Sequence, residues 1–172
     1  NLVNTSINKL IEHKQSNLIV DMAEYYYNNW VKDNKEFDQF FFKIVKEAFT
    51  HGSDEHRFAF IKQMIKVTGN KYPSLSELLA ETYKQREDYG RAYIYFFSAD
   101  RPSQTVDLLK NHLIKTGYPN EEGLFKLRGV LEYLAFNKIE SAKVCFDKLW
   151  EENESNYYKN MAKAVITCCE KD

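Results

Sequence analysis

Residues 73–99 read PSLSELLAETYKQREDYGRAYIYFFSA, and this stretch decides the fold class. Its apolar and small residues fall at Leu79, Ala80, Tyr83, Tyr89, Ala92, Phe96 and Ala99, at helical rather than strand spacing. Pro73 and Ser74 suit a helix start. Glu87 and Asp88 interrupt the apolar pattern, so the stretch reads as two helices, Pro73 to about Arg86 and Tyr89 to Ala99. Ala80 and Ala92 are small enough to let the two helices approach closely, and Tyr83, Tyr89 and Phe96 fill the space beside them.

The order of residues resembles a tetratricopeptide hairpin, although Gln104 stands where that repeat expects a closing proline. The pattern returns fifty residues later at Tyr133, Ile139, Ala142 and Phe146. A repeat hairpin cannot bury its hydrophobic face alone, so interior helices need more than one apolar face. Phe40 and Phe42 beside Phe41 fit this requirement, as do Tyr93, Tyr95 and Phe97 around Phe96. These extra aromatics either contact adjacent repeats or line a binding groove; we take packing as the primary reading.

Outward from this core the same periodicity continues. Upstream helices are expected at Leu2–His13, Ser16–Lys32, about Phe37–Phe49, and from Ser53 to Thr68. Downstream ones are expected at Pro102–Thr116, Glu121–Phe136, Ile139–Glu152 and Tyr157–Glu170. Ten helices with short connections imply antiparallel neighbours. The expectation is an all-α solenoid of helix hairpins forming a single domain over 1–172, and the start at Asn1 reads as a fragment.

The 172 residues carry 24 basic and 25 acidic side chains, for a formal charge of −1, which gives no bulk attraction to nucleic acid or to an anionic membrane. Only 6 glycines and 3 prolines are present, too few for the many turns of an all-β fold. No apolar run reaches the roughly 20 residues that span a bilayer. Cys145, Cys168 and Cys169 have no metal-ligand or disulfide spacing and read as reduced thiols. No phosphate loop, nucleophile elbow or HExxH is present. His51, Asp54, Glu55 and His56 form the compact cluster of potential metal ligands, and a helix start with capping acids accounts for it better than a metal-dependent enzyme does. We therefore expect no catalytic residues, cofactor or metal.

Three stretches together are similar to the Golgi to ER traffic protein 4 family. Tyr72–Asp100 resembles its P-x-L-x-x-L-L-A block, acidic-aromatic turn and F-x-x-S-A-D close. Glu55–Thr68 (EHRFAFIKQMIKVT) resembles a family helix, and Leu124–Phe146 (LFKLRGVLEYLAFNKIESAKVCF) looks like another. His13–Tyr26 agrees more loosely. The resemblance implies an α-solenoid adaptor in the guided entry of tail-anchored proteins to the ER. It implies a cytosolic protein that bridges a ubiquitin-like partner, carrying a co-chaperone and client, to a targeting ATPase. In animals a large ubiquitin-like scaffold protein joins them. The family's N-terminal helices face the ATPase, and on this resemblance those helices are expected to be missing here. Its C-terminal half grips the ubiquitin-like partner. For that interface the resemblance points to the surface from Gly123 to Trp150, with Phe125, Arg128, Glu132 and Trp150 as partner-binding candidates. The alternative is a general tetratricopeptide-like module that holds a peptide in a groove.

Overall fold

The computed structural model describes residues 5–6, 9–10, 12–13, 15–32, 38–51, 54–69 and 71–171, without the side chains of 16, 17, 20, 30, 38–40, 43, 47, 48, 51, 54–57 and 119. The fold is all-α, with nine helices and no strand among the described residues. Half of the expected first helix, Leu2–His13, lies outside them, as do the side chains of His51, Asp54, Glu55, His56 and Phe40. Contacts divide the chain into two compact units, 1–75 and 76–172, where the sequence reading has one continuous domain.

In the first unit, α1 (Ser16–Tyr26) runs without a break into a wider π turn, Tyr27–Val31, and α2 (Asp38–His51) and α3 (Asp54–Thr68) follow. The three helices pack mutually. Ile19 and Ala23 of α1, Phe41, Ile44 and Val45 of α2, and Ile61 and Met64 of α3 are buried at their shared centre. Phe41 lies 5.4 Å from Tyr27 and 5.6 Å from Tyr72, so rings close one end of this core. Gln63 Nε2 donates to Glu24 Oε1 at 2.6 Å and ties α3 to α1. Gly69 ends α3 at φ +58°, the left-handed turn that glycine takes without cost.

The helix α4 (Pro73–Gln85) crosses the boundary between the units. The second unit continues with α5 (Tyr89–Ser98) and α6 (Pro102–Leu108, then a π turn Leu109–Leu113 and a last turn Ile114–Thr116). A single 3-10 turn, Pro119–Glu121, leads into α7 (Glu122–Ala135), and α8 (Ile139–Leu149) and α9 (Tyr157–Cys169) complete the chain. Each helix packs on a near neighbour in sequence: α5 on α6, α6 on α8, α7 on α8, and α9 on α7.

The decisive stretch behaves as its spacing demands. Leu79, Ala80, Ala92 and Phe96 are fully buried, Tyr83 and Ala99 nearly so, and Tyr83 stacks on Tyr95 at 5.6 Å. Tyr133 and Ala142 are as deeply buried, fifty residues on. The turns recur as well. Asp88 N donates to the Tyr83 carbonyl at 3.0 Å around Glu87 at φ +61°. Lys138 N donates to the Tyr133 carbonyl at 2.9 Å around Asn137 at φ +56°. The two hairpins thus share a left-handed helix-ending motif at identical positions of the repeat. In the first, Asp88 then caps α5, accepting a bond from Arg91 N.

The end of α8 differs from the sequence reading. The helix stops at Leu149 rather than Glu152, because Trp150 adopts an extended conformation (φ −115°, ψ 145°) and is 4 % exposed in the core. Glu151–Asn156 then form a loop held by polar contacts. Lys159 Nζ donates to the Glu151 and Glu152 carbonyls at 2.6 and 3.0 Å. Lys126, whose side chain is almost wholly buried, reaches Glu122 at 2.8 Å and Glu154 at 3.6 Å.

Candidate functional site

Where α5, α6 and α7 meet in the second unit, their side chains leave an open groove of about 500 Å³. α5 contributes Tyr93, Ile94 and Phe97, α6 contributes Leu109 and Leu113, and α7 contributes Phe125, Arg128 and Glu132. Phe136, just past α7, closes one end. The π turn of α6 runs along this wall, and Leu109 and Leu113, four residues apart, share one face of it. At the far end, Phe125 rests against Gly117; a Cβ on that glycine would stand 2.8 Å from the ring.

Apolar groups face solvent in this groove. Ile94 is 58 % exposed and Phe136 is 67 % exposed. Phe97 is anchored beneath them, 4.7 Å from Tyr133 and 5.3 Å from Phe136. Phe97 and Tyr93 therefore serve both roles the sequence allowed, helix packing and groove wall, whereas Tyr95 serves packing alone in its stack with Tyr83.

The polar edge is organised around Glu132. Its Oε2 accepts a bond from the Tyr93 hydroxyl at 2.5 Å, and its Oε1 accepts one from Arg128 Nε at 2.7 Å. Burial, aided by the neighbouring Glu132 carboxylate, pushes the Tyr93 phenol well above the ordinary tyrosine range, so it stays a donor. The Arg128 side chain is 70 % exposed at the rim.

Three of the four residues marked in the sequence, Phe125, Arg128 and Glu132, are thus brought together on one surface. Trp150 does not join them: it packs 5.3 Å from Phe146 in the core, and its indole N–H has no hydrogen-bond acceptor among the described residues. Ile94, Leu113 and Phe136 were not identified from sequence. Their periodicity is that of core positions, and only the gap between three helices leaves them open.

Among the described residues no group of His, Cys, Asp and Glu could hold a metal ion, and no helix is long and apolar enough to cross a membrane. The site is a recess for apolar side chains with one ion pair at its rim, on stacked helical hairpins. These features define an all-α protein of stacked helical hairpins with an open apolar recess. Residues 1–169 match the family described as Golgi to ER traffic protein 4, and the chain belongs to that family. It is 24 % identical over 150 residues to the Golgi to ER traffic protein 4 homolog of Oryzias latipes. That match covers 83 % of this chain and 46 % of the relative, so the chain spans just under half the relative's length.

Proposed function

We propose that the chain is a non-enzymatic, cytosolic adaptor in the post-translational targeting of tail-anchored membrane proteins to the ER. It bridges a ubiquitin-like partner, with the co-chaperone and client which that partner delivers, to a targeting ATPase. The observation that carries this reading is the groove, an open apolar surface where Phe125, Arg128 and Glu132 meet in a member of a Golgi to ER traffic family. Apolar surface left open beside a fixed polar rim is the ordinary character of a protein-binding site. The ubiquitin-like partner occupies this surface, and Trp150 supports it from the core. No covalent step is required. Two modest contacts on one scaffold raise the local concentration of client near the ATPase.

The test is isothermal titration calorimetry of the full chain against the purified ubiquitin-like protein and, separately, against the ATPase. We expect the first to bind, and Ile94→Asp and Phe125→Ala each to weaken it at least tenfold, since a buried anchor is worth about 2 kcal/mol or more. Absence of binding to the ubiquitin-like protein, or binding indifferent to both substitutions, overturns the reading.

A further inference from the structure

We infer that the groove selects a partner segment in which a carboxylate lies next to large apolar side chains, the carboxylate seating on Arg128. This rests on the groove being a protein-binding surface, and it adds what that surface recognises. Glu132 is already engaged through both oxygens, one accepting from Arg128 Nε and the other from the Tyr93 hydroxyl. Arg128 is in the opposite condition. A guanidinium has five N–H donors, and Arg128 spends one. The other four have no acceptor among the described residues, and the side chain is 70 % exposed. The bond from Nε fixes the plane of the guanidinium and leaves its two terminal nitrogens free, the pair that grips a carboxylate side by side. What the rim presents to a ligand is therefore cationic, although its formal charges cancel. Behind it stand the phenol of Tyr93 and the hydroxyl of Thr116, both already donating, and the apolar walls from Ile94, Phe97, Leu113 and Phe125. An apolar segment with a basic residue at this point would bring that charge against Arg128, with the neighbouring acid already paired.

A library of random linear peptides displayed on phage and selected on the full chain tests this. Binders that depend on the groove are those lost on Ile94→Asp. We expect them to be enriched in Asp or Glu beside Phe, Leu or Trp. Changing that acid to its amide in the synthetic peptide should weaken binding roughly tenfold, as for a hydrogen bond to a charged group. Arg128→Gln should abolish the difference between acid and amide. Arg128 is exposed, so the variant should keep the native circular dichroism spectrum, which is checked alongside. Groove-dependent peptides without acidic enrichment, or acid and amide forms that bind alike, overturn the inference and leave the groove reading standing. Selection that yields no groove-dependent peptide overturns both.

Discussion

Deep in the second unit, Thr105 and Tyr133 make a pair whose energetics can be worked out from their partners. Both residues are fully buried. The Thr105 hydroxyl donates to the Arg101 carbonyl at 2.9 Å, and its oxygen lies 3.0 Å from the Tyr133 hydroxyl. Threonine has one hydroxyl proton, and the carbonyl takes it, so Tyr133 is the donor of the second bond. Tyr133→Phe removes that donor and leaves no orphaned N–H or O–H, and should cost about 1 kcal/mol. Thr105→Val keeps the shape and the β-branch. The Arg101 carbonyl retains the Thr105 backbone N–H at 3.0 Å, but the Tyr133 hydroxyl is stranded without an acceptor. Its desolvation should cost about 2 kcal/mol. The double variant has no stranded group and should cost about 1 kcal/mol rather than the sum of about 3. The coupling is therefore near 2 kcal/mol. Urea denaturation followed by Trp150 fluorescence in a Trp30→Phe background reads the second unit alone, because each unit holds one of the two tryptophans. Additive losses, or a larger loss for Tyr133→Phe than for Thr105→Val, refute the assignment of donor and acceptor.

Other expectations concern packing and titration. Gly123→Ala drives a Cβ into the Tyr158 ring, 2.9 Å from Cε2 and nearer still to Cδ2, so it should destabilise the seat of α9 by about 1–3 kcal/mol in urea melts. Gly90→Ala meets nothing within 4 Å and should stabilise by up to about 1 kcal/mol. Burial pushes the Tyr133 and Tyr93 phenols above the ordinary value of 10.0, so above that pH the unfolded chain ionises while the folded chain holds its protons. Their contribution to stability is complete below pH 10 and declines above it, by about 1.4 kcal/mol per pH unit for each ring. Melts at rising alkaline pH should show Tyr133→Phe losing stability less steeply than the unsubstituted chain. Burial also pushes the Cys145 thiol up to about 12, whereas Cys168 is exposed. An aromatic disulfide reagent should label Cys168 rapidly in the native protein and Cys145 only after denaturation.

The helices were legible because their boundaries are written in local chemistry. Pro73 and Pro102 start helices where the sequence reading has them, and the fifty-residue offset between Tyr83 and Tyr133 reappears as matching buried rings and matching left-handed turns. The end of α8 was not legible. Lys148 to Glu152 has helical composition, and the chain leaves the helix at Trp150 because the core has room for an indole there. The division into two units has no composition marker either, since the boundary falls inside a regular helix. Of the site, Phe125, Arg128 and Glu132 could be marked only through resemblance to the family. Their partners Tyr93 and Ile94 lie more than thirty residues away, and periodicity cannot say which of two apolar faces stays open.

The π turn at Leu109–Leu113 also bears on how this chain can change over evolutionary time. Such a turn houses one surplus residue, and removing any single residue upstream within α6 would restore ordinary winding. What lies beyond would keep its phase, because the π turn already absorbs the extra residue. A deletion in a regular α-helix, by contrast, swings everything beyond it by about 100° around the axis. This stretch carries exposed Lys110 and Asn111 and looks permissive to substitution. It should also be among the most forgiving of a one-residue deletion in the chain.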